Sequence, residues 1–369
     1  MSRLTDRRRF LTKATIAAGA AAVSTMSAPS VIAQPKIQWR MSTTWTPSLD
    51  MLQGSAERLG TVVEAMSGGR FRIEVFPGGQ IVQPFECFDA ASRGTIEAFM
   101  GAAYYWPEPE PAVQWFSTVP FGMDPAGMTS WYYQGDGLRL WEETYSAFKL
   151  VPRPGPAIAP QMAGWFRKKI ATMGDFRGLR MRIPGLGGRV VAKAGATVAL
   201  TPAADIYAAL ERGVIDASEW IGPYDDMKLG LHKTARYYYY PGWHEPGTVT
   251  GFGFNKKAYE ALPVDLRRTL DHAAEVVQVY GLTDYHVKNA TALARLTAEF
   301  KDISILRLPT PVLRDLKKMA AAVVREESEK TPTARKVHAS FTKFQALVGS
   351  WDGLAEGAYH QFVAGNGRA

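Results

Sequence analysis

The chain has 369 residues, of which 46% are hydrophobic, and its formal net charge is +8. Its length is at the point where chains usually divide into two domains, and its only cysteine, Cys87, excludes a disulfide within the chain. No polybasic arm and no arginine stripe interleaved with aromatic residues follows the first residues, which argues against a nucleic-acid-binding protein.

The first 33 residues have the pattern of a bacterial export signal. A basic head is followed by an apolar run at 14–23 that is too short to span a bilayer. The twin arginines within Arg7 to Leu11 favour twin-arginine export, with general secretion as the alternative. Cleavage is expected after Ala33, and the loss of 1–33 lowers the net charge from +8 to +4. The pattern predicts a periplasmic protein.

The first mature segment predicts a strand, a helix and a strand in succession. Residues 36–41 alternate apolar and polar side chains, as a strand does. Residues 48–65 place apolar residues at helical spacing, and residues 71–75 alternate again. Such a βαβ unit implies a parallel sheet covered by helices.

The order of helix and strand then repeats, and it starts over beyond residue 151. The predicted elements are a helix at 85–93, a strand at 96–100, a loop at the sheet edge over 104–111, strands at 161–167 and 179–183, and helices at 189–194 and 206–212. Four prolines cluster in 152–160, where we expect the first crossing between domains. The expected lobes are 34–152, completed by segments after about residue 250, and 153–250, completed by C-terminal segments.

Residues 263–300 predict one long helix. Proline suits the first turn, and apolar residues continue at helical spacing with only Gly281 inside the stretch. A helix of that length, roughly 57 Å at 1.5 Å per residue, has to brace both lobes. The alternative is two helices broken at Gly281. A C-terminal helical segment is expected over 301–369, with a clear helical pattern at 312–329.

Few catalytic constellations are present. The six histidines lack the spacing of a zinc site, and no G-x-S-x-G elbow occurs. The glycines of 185–188 fit a plain strand-to-helix turn better than a nucleotide-binding loop. Cys87 lies on an apolar helical face, where a buried structural thiol is commoner than a nucleophile.

Arg182 is the first candidate for ligand binding. It lies where a short strand ends at the turn Pro184-Gly185. An arginine there can grip a carboxylate through two parallel hydrogen bonds, a geometry that lysine cannot match. A surface salt bridge is the alternative role for such an arginine.

Several segments around Arg182 carry a specific likeness to a known family. They are Gln161 to Lys168, Ile215 to Asp226, the run Tyr237 to Glu245, and Val119 to Gly122. In these segments the chain resembles the solute-binding subunits of tripartite ATP-independent periplasmic (TRAP) transporters, and within them the branch that binds 2-oxo acids such as pyruvate. The likeness extends from about Trp39 to about Lys301 and weakens in the C-terminal part.

The resemblance implies a two-lobed α/β fold of the type II-like periplasmic binding protein class, with the long helix bracing both lobes. Arg182 matches the arginine that anchors the substrate carboxylate. Gln161, Glu219, the carbonyl of Trp220 and Glu245 match positions around a sodium or calcium ion bound with the substrate. His244 departs from the pattern, because an aromatic residue is expected there, and this weakens the assignment of Glu245.

Aromatic residues complete the expected site. Tyr104 and Tyr105 are expected to close over the ligand from the first lobe, with core packing as the alternative for one of them. Trp165 and Trp220 are expected to exclude water and limit ligand size. The bland alternatives are that Glu219 is a solvated acid beside a core aromatic and that Gln161 satisfies backbone groups at a strand end.

The expected function is that of a receptor for a small 2-oxo monocarboxylate, partnered by TRAP membrane subunits, with no chemical step. The alternatives are a receptor for lactate or another 2-hydroxy acid, an exported metal-assisted enzyme acting on a carboxylate, and a module that binds a protein or peptide. Monomer and homodimer both stay open as oligomeric states; in some relatives the C-terminal helices are exchanged within a dimer.

Overall fold

The computed structural model describes residues 36–108 and 110–366, so the expected export signal lies outside the described residues. Within this part of the chain, no helix has the length and apolar character needed to cross a membrane. The strands are β1 Ile37–Thr43, β2 Phe71–Phe76, β3 Ala98–Gly101, β4 Leu150–Ala157, β5 Gly164–Phe166, β6 Arg180–Arg182, β7 Thr197–Ala199, β8 Ala217–Ser218, β9 Tyr237–Tyr240, β10 Val249–Asn255 and β11 Ser304–Arg307.

The helices alternate with these strands along most of the chain. They are α1 Gln53–Met66, α2 Cys87–Arg93, α3 Pro125–Gln134, α4 Gly137–Ser146, α5 Gly185–Lys193, α6 Ala203–Glu211, α7 Pro223–Lys228, α8 Lys256–Glu260, α9 Val264–Glu299, α10 Thr310–Ser328, α11 Pro332–Leu354 and α12 Glu356–Asn366. Short 3-10 helices include Ala103–Tyr105 and Pro111–Phe116, so the segment expected to be a loop at 104–111 begins with a helical turn.

The first sheet has the strand order β2-β1-β3-β10-β4. Strands β1, β2 and β3 are parallel, as the βαβ pattern predicts, and β10 returns antiparallel to β3 and β4. In β1 the alternation holds, because Trp39 and Met41 are buried while Gln38 and Arg40 are not. This sheet therefore combines the parallel strands β1, β2 and β3 with β10, which begins about 150 residues after β3 ends.

The second sheet has the order β11-β9-β5-β8-β6-β7. Strands β6, β7 and β8 are parallel to one another, and β5 runs antiparallel to β8 and β9. The strand expected at 161–167 is regular only over Gly164–Phe166. The N–H of Ala163 still donates to Tyr239 of β9, whereas those of Gln161 and Met162 donate to Glu245 and Ile221 in the loops after β9 and β8.

Most of the proline-rich segment 152–160 is strand, and the crossing to the second sheet follows it directly. Three of its prolines lie within β4, which is the last strand of the first sheet. Proline has no N–H to donate to a neighbouring strand. An edge strand has a neighbour on one side only, so it tolerates prolines whose nitrogens face the open side. The chain leaves the first sheet only after Ala157 and enters the second at Gly164.

The long helix is continuous, which confirms the interpretation of 263–300 as one element. Helix α9 contacts β4 and α1 on the side of the first sheet and α7 on the side of the second. A Cβ at Gly281 would lie 2.4 Å from the Cβ of Pro156. Glycine therefore permits the helix to approach β4 closely, and this packing offsets its cost of about 1 kcal/mol in a helix interior.

The two sheets share a continuous apolar core. One cluster of buried side chains includes Trp39 and Phe252 of the first sheet, Tyr238 of the second, and Leu270 and Val277 of α9. The architecture is thus α/β with two lobes, and the long helix packs against both.

Candidate functional site

Arg182 and Glu219 meet because of the sheet topology. Strands β6 and β8 are parallel neighbours in register, with Arg182 paired to Ser218. Arg182 ends β6 and Glu219 directly follows β8, so both residues lie at the same carboxyl edge. That edge is where open α/β sheets commonly bind ligands.

Gln161 and Glu245 reach the same edge from antiparallel neighbours. Gln161 precedes β5, whereas Glu245 follows β9, which runs the opposite way beside it. The backbone N–H of Gln161 donates to the carbonyl of Glu245 at 3.2 Å. A Cβ at Gly242 would lie 2.2 Å from the Gln161 carbonyl oxygen, so only glycine allows the loop to approach this closely.

A cavity with a free volume of only about 10 Å³ lies between this edge and the first sheet. Its walls come from both lobes: Trp45, Leu52, Ala102, Tyr104, Tyr105, Ile158, Gln161, Arg182, Trp220, Ile221 and Thr250. The free volume is about the size of one water molecule and far below the roughly 300–1,000 Å³ of sites for drug-sized ligands, so the cavity is closed in this conformation. The walls are mostly apolar or aromatic with few polar groups, as is usual in binding sites for small molecules.

Arg182 is a fully buried cation in the wall of this cavity, with 1% of its surface exposed. Its Nη1 donates to the Glu219 carboxylate and, at 3.1 Å, to the Glu219 carbonyl, while Nε donates to the Thr201 carbonyl at 3.3 Å. The guanidinium lies 4.8 Å from the centre of the Trp220 ring. The alternative of a surface salt bridge is therefore wrong for Arg182, since its pair with Glu219 is internal.

Glu219 and Glu245 are buried acids that lie close together. Glu245 Oε2 accepts hydrogen bonds from Gln161 Nε2 at 2.7 Å, Thr248 Oγ1 at 2.6 Å and the Tyr104 hydroxyl at 3.3 Å. Burial raises the pKa of each carboxyl to about 7, although Arg182 opposes the shift at Glu219. Glu219 is therefore not a solvated acid, and an added positive charge would stabilise both ionised carboxylates.

His244 is part of the same cluster. Its Nε2 lies 3.2 Å from Glu219 Oε2, and burial lowers its pKa to about 4, so the ring is neutral. The sequence marked His244 only as a departure from the expected aromatic residue. Its contact with Glu219 arises from the fold of the loop after β9.

The donor set fits a hard cation. Ligand atoms of Glu219, His244 and Glu245 all lie within 4.8 Å of one another. Among the described residues, the buried Gln161 Oε1 has no hydrogen-bond partner, because the amide nitrogen is the atom that donates to Glu245. Carboxylate and amide oxygens are the ligands that sodium and calcium prefer, and an unpartnered buried oxygen is an available ligand.

Trp220 and Trp165 have different surroundings. Trp220 lines the cavity, and its buried indole N–H has no partner within the part of the chain that is described. Trp165 lies behind the wall, stacked on Tyr238 at 4.0 Å, and its N–H donates to Asp226 at 2.8 Å. Asp226 also accepts from the backbone N–H of Ile221 at 3.1 Å, so Trp165 supports the loop that carries Trp220.

Several residues that line the cavity were not identified from the sequence. Trp45, Leu52, Ile158 and Thr250 carried no motif, since their apolar or hydroxyl side chains look like ordinary core positions. Thr248 was missed as well; it lies three residues after Glu245, just beyond the run that was singled out, and its hydroxyl donates to the Glu245 carboxylate.

The chain is similar to a known family of binding proteins and to a curated relative. The family model DctP, described as bacterial extracellular solute-binding protein, family 7, matches residues 41–331. A curated relative from a Nostoc species, a monocarboxylate 2-oxoacid-binding periplasmic protein, is 34% identical over 97% of this chain and 99% of its own.

Two crystal structures are also similar over most of their length. A TRAP transporter solute-binding protein from Bordetella bronchiseptica, a mixed-occupancy dimer with calcium and picolinate in one site, is 36% identical with a TM-score of 0.88, covering 90% of this chain and 98% of that one. One from Pseudoalteromonas atlantica, with sodium and pyruvate, is 35% identical with a TM-score of 0.86, covering 88% and 99%. The chain therefore belongs to the DctP family of TRAP solute-binding proteins.

Proposed function

We propose that this protein binds a small 2-oxo monocarboxylate of the pyruvate type together with a sodium or calcium ion and delivers it to TRAP membrane subunits. The observation that carries the proposal is the buried Arg182 in the wall of a small cavity, beside the oxygen cluster of Gln161, Glu219 and Glu245. The ligands of the similar proteins from Bordetella and Pseudoalteromonas support the same chemistry.

The ligand carboxylate takes over hydrogen bonds that Glu219 now accepts from Arg182. The Trp220 N–H, which lines the cavity without a partner among the described residues, supplies a further donor to the ligand. Glu219, released from the arginine, joins Gln161 Oε1, Glu245 and the Trp220 carbonyl around the cation. The keto and carboxylate oxygens of the acid chelate that ion.

Aromatic side chains give the site its size. Tyr104 and Trp220 line the cavity and contact the ligand directly, whereas Trp165 acts through Asp226 by fixing the loop behind Trp220. Lactate remains the second candidate ligand, since its hydroxyl can replace the keto oxygen in the same chelate. Neither acid needs a chemical step, so a receptor that returns its ligand unchanged fits better than a metal-assisted enzyme, which turnover assays would reveal.

Cleft closure on the ligand is part of the proposal. The carboxylate of Asp50, just before α1 of the first lobe, accepts from Lys228 Nζ at 2.6 Å and the Tyr224 hydroxyl at 2.9 Å, both in α7 of the second lobe. An exposed pair contributes at most about 1 kcal/mol, which suits a contact that must open and close. The lobes are taken as 34–152 and 153–250 with their C-terminal additions, except that β4 keeps residues 153–157 with the first lobe.

Export places this receptor outside the cytoplasmic membrane. The family is one of extracellular solute-binding proteins. We assign the run Arg7 to Leu11 to the twin-arginine route and cleavage to the position after Ala33, from the sequence pattern alone.

A screen of small organic acids tests the function. Pyruvate with sodium or calcium should raise the melting temperature of the purified mature chain, because a ligand that binds only the folded state stabilises it by mass action, by about 2.7 kcal/mol at a hundred times Kd. Lactate, succinate and acetate serve as comparison acids. A screen in which no 2-oxo acid shifts the melting temperature with either cation would overturn the proposal.

We also propose a homodimer built on the C-terminal helices. Helices α11 and α12 expose large apolar side chains, namely Leu347, Trp351, Leu354, Tyr359 and Phe362, each with at least 64% of its surface exposed. Exposed apolar patches of this kind mark interaction surfaces. A second copy is the occupant we favour, because the similar Bordetella protein forms a dimer.

Light scattering after size exclusion checks the dimer. The wild-type chain should have twice the monomer mass, and the double variant Trp351→Lys, Phe362→Lys should be monomeric, because two charges would be buried at the interface. Val264→Lys, at an equally exposed valine of α9, should remain dimeric. A wild-type chain that is monomeric at micromolar concentration contradicts this assignment.

A further inference from the structure

A second pocket adjoins the ligand cavity. It is open to solvent, has a volume of about 220 Å³, and is lined mainly by apolar side chains, including Pro107, Ile183, Ala192, Val198 and Leu200. Its charged wall residue, Arg189, is already paired with Glu327 at 3.3 Å. The pocket therefore offers an apolar surface to a ligand and places no unpaired cation in it.

Tyr104 is the side chain that the two spaces share. It lines both the inner cavity and the outer pocket, whereas the neighbouring Tyr105 lines only the inner cavity. Both rings are buried and lie edge to face, with centroids 5.1 Å apart. The ring of Tyr104 thus forms a partition, and that of Tyr105 forms a closed wall.

Local contacts hold this partition in place. On the outer side Gly185, at a φ of +56°, brings its backbone against the ring, so that an added Cβ would lie 3.1 Å from the Tyr104 Cβ. On the inner side the hydroxyl donates to Glu245 at 3.3 Å. Glu245 keeps two shorter hydrogen bonds, from Gln161 and Thr248, when the tyrosine is replaced.

We propose that Tyr104 sets the chain length of the acid that the site accepts, and that the outer pocket is a latent subsite for the aliphatic tail of longer 2-oxo monocarboxylates. This inference rests on the proposed function. With the ring in place the inner cavity ends at Tyr104, so a site that opens to admit an acid still has no space for a long tail on that side. Without the ring, the tail of an acid held by Arg182 extends into the outer pocket and buries apolar surface there.

Isothermal titration of the mature chain with pyruvate and with 2-oxohexanoate, in the presence of calcium, tests the proposal. Tyr104→Ala should raise the affinity for 2-oxohexanoate relative to pyruvate at least tenfold over the wild type, since each methylene in an apolar pocket changes binding about 10- to 200-fold. Tyr105→Ala is the matched control. It enlarges the inner cavity without joining it to the outer pocket, and its affinity ratio should change less than threefold.

Two further variants of Tyr104 distinguish the effect of the ring from that of the hydroxyl and from that of lost core packing. Tyr104→Phe keeps the partition and should leave the affinity ratio unchanged, whereas Tyr104→Leu should show the same direction of change as Tyr104→Ala with less loss of core packing. Adding Leu200→Glu to Tyr104→Ala should remove the gain for 2-oxohexanoate, because Leu200 is an exposed wall of the outer pocket only.

The outcomes separate this inference from the function on which it rests. If the wild type binds pyruvate but the alanine and leucine variants gain nothing for 2-oxohexanoate, the partition is wrong and the receptor function stands. An equal gain in Tyr105→Ala likewise overturns the partition, since any added space would then suffice. A wild type that binds neither acid overturns both.

Discussion

Arg182→Ala should abolish binding of 2-oxo acids. The guanidinium is the one cation in the cavity wall among the described residues, and it lies 1% exposed beside apolar and aromatic side chains. Removing one partner of a buried, hydrogen-bonded charge pair costs about 2–5 kcal/mol, which is roughly a 30- to 5,000-fold loss of affinity. Isothermal titration with pyruvate and calcium measures this loss.

Arg180→Ala is the matched control for this variant. Arg180 lies on the same strand, but its half-exposed side chain pairs with Asp216 at 2.8 Å at the surface. Its loss should change pyruvate affinity less than twofold. Arg182→Lys should recover little binding, because an ammonium cannot form two parallel hydrogen bonds with a carboxylate.

Stability has to be followed beside affinity. Arg182→Ala leaves Glu219 buried without its cation, which costs about 3–5 kcal/mol when the acid remains ionised. Because burial already raises the pKa of Glu219 to about 7, protonation limits this cost near neutral pH. A folded Arg182→Ala protein with wild-type affinity for pyruvate would remove the anchor role.

Glu219→Gln should weaken binding of the cation and of the acid together. The amide keeps the shape of the side chain and removes the charge that the ion needs. Since the ion bridges acid and protein, the factor by which calcium raises pyruvate affinity must equal the factor by which pyruvate raises calcium affinity, and both should fall at least tenfold. Titrations in each order, with and without a chelator, measure the two factors.

Asp225→Asn is the control for a buried acid outside the cluster. Its carboxylate accepts from the Tyr285 hydroxyl at 2.8 Å, and it lies in α7 away from the ligand atoms of Glu219, His244 and Glu245. The variant should keep both coupling factors. If elemental analysis of the wild type with pyruvate shows no sodium or calcium, and a chelator leaves pyruvate affinity unchanged, the bridging ion is excluded.

The elements with a strong local pattern were predictable from sequence. The alternation of β1 and the helical spacing of 263–300 reflect which faces of a strand or helix are buried, and this information is local. The four prolines predicted a crossing between lobes near 152–160; in the structure β4 extends through three of them, because an edge strand tolerates proline, and the chain leaves the first sheet after Ala157.

The residue types of the candidate site were identified from sequence as well, through the segments around Gln161, Arg182 and Glu219. Their proximity was not, because it depends on which strands are neighbours and in which direction each runs. The position of Trp165 was not predictable either. Its residue type suggested an aromatic wall of the pocket, but it lies behind the wall, where its N–H donates to Asp226.

What the sequence by itself determined was the repeated βα order, the long helix, and a set of side chains able to bind a carboxylate and a hard cation. The tertiary structure alone decided that Tyr104 lines two cavities while Tyr105 lines one, and that His244 contacts Glu219. The reason is physical. Periodicity and residue chemistry are properties of neighbouring positions, whereas a cavity is bounded by side chains from distant strands whose pairing only the folded chain fixes.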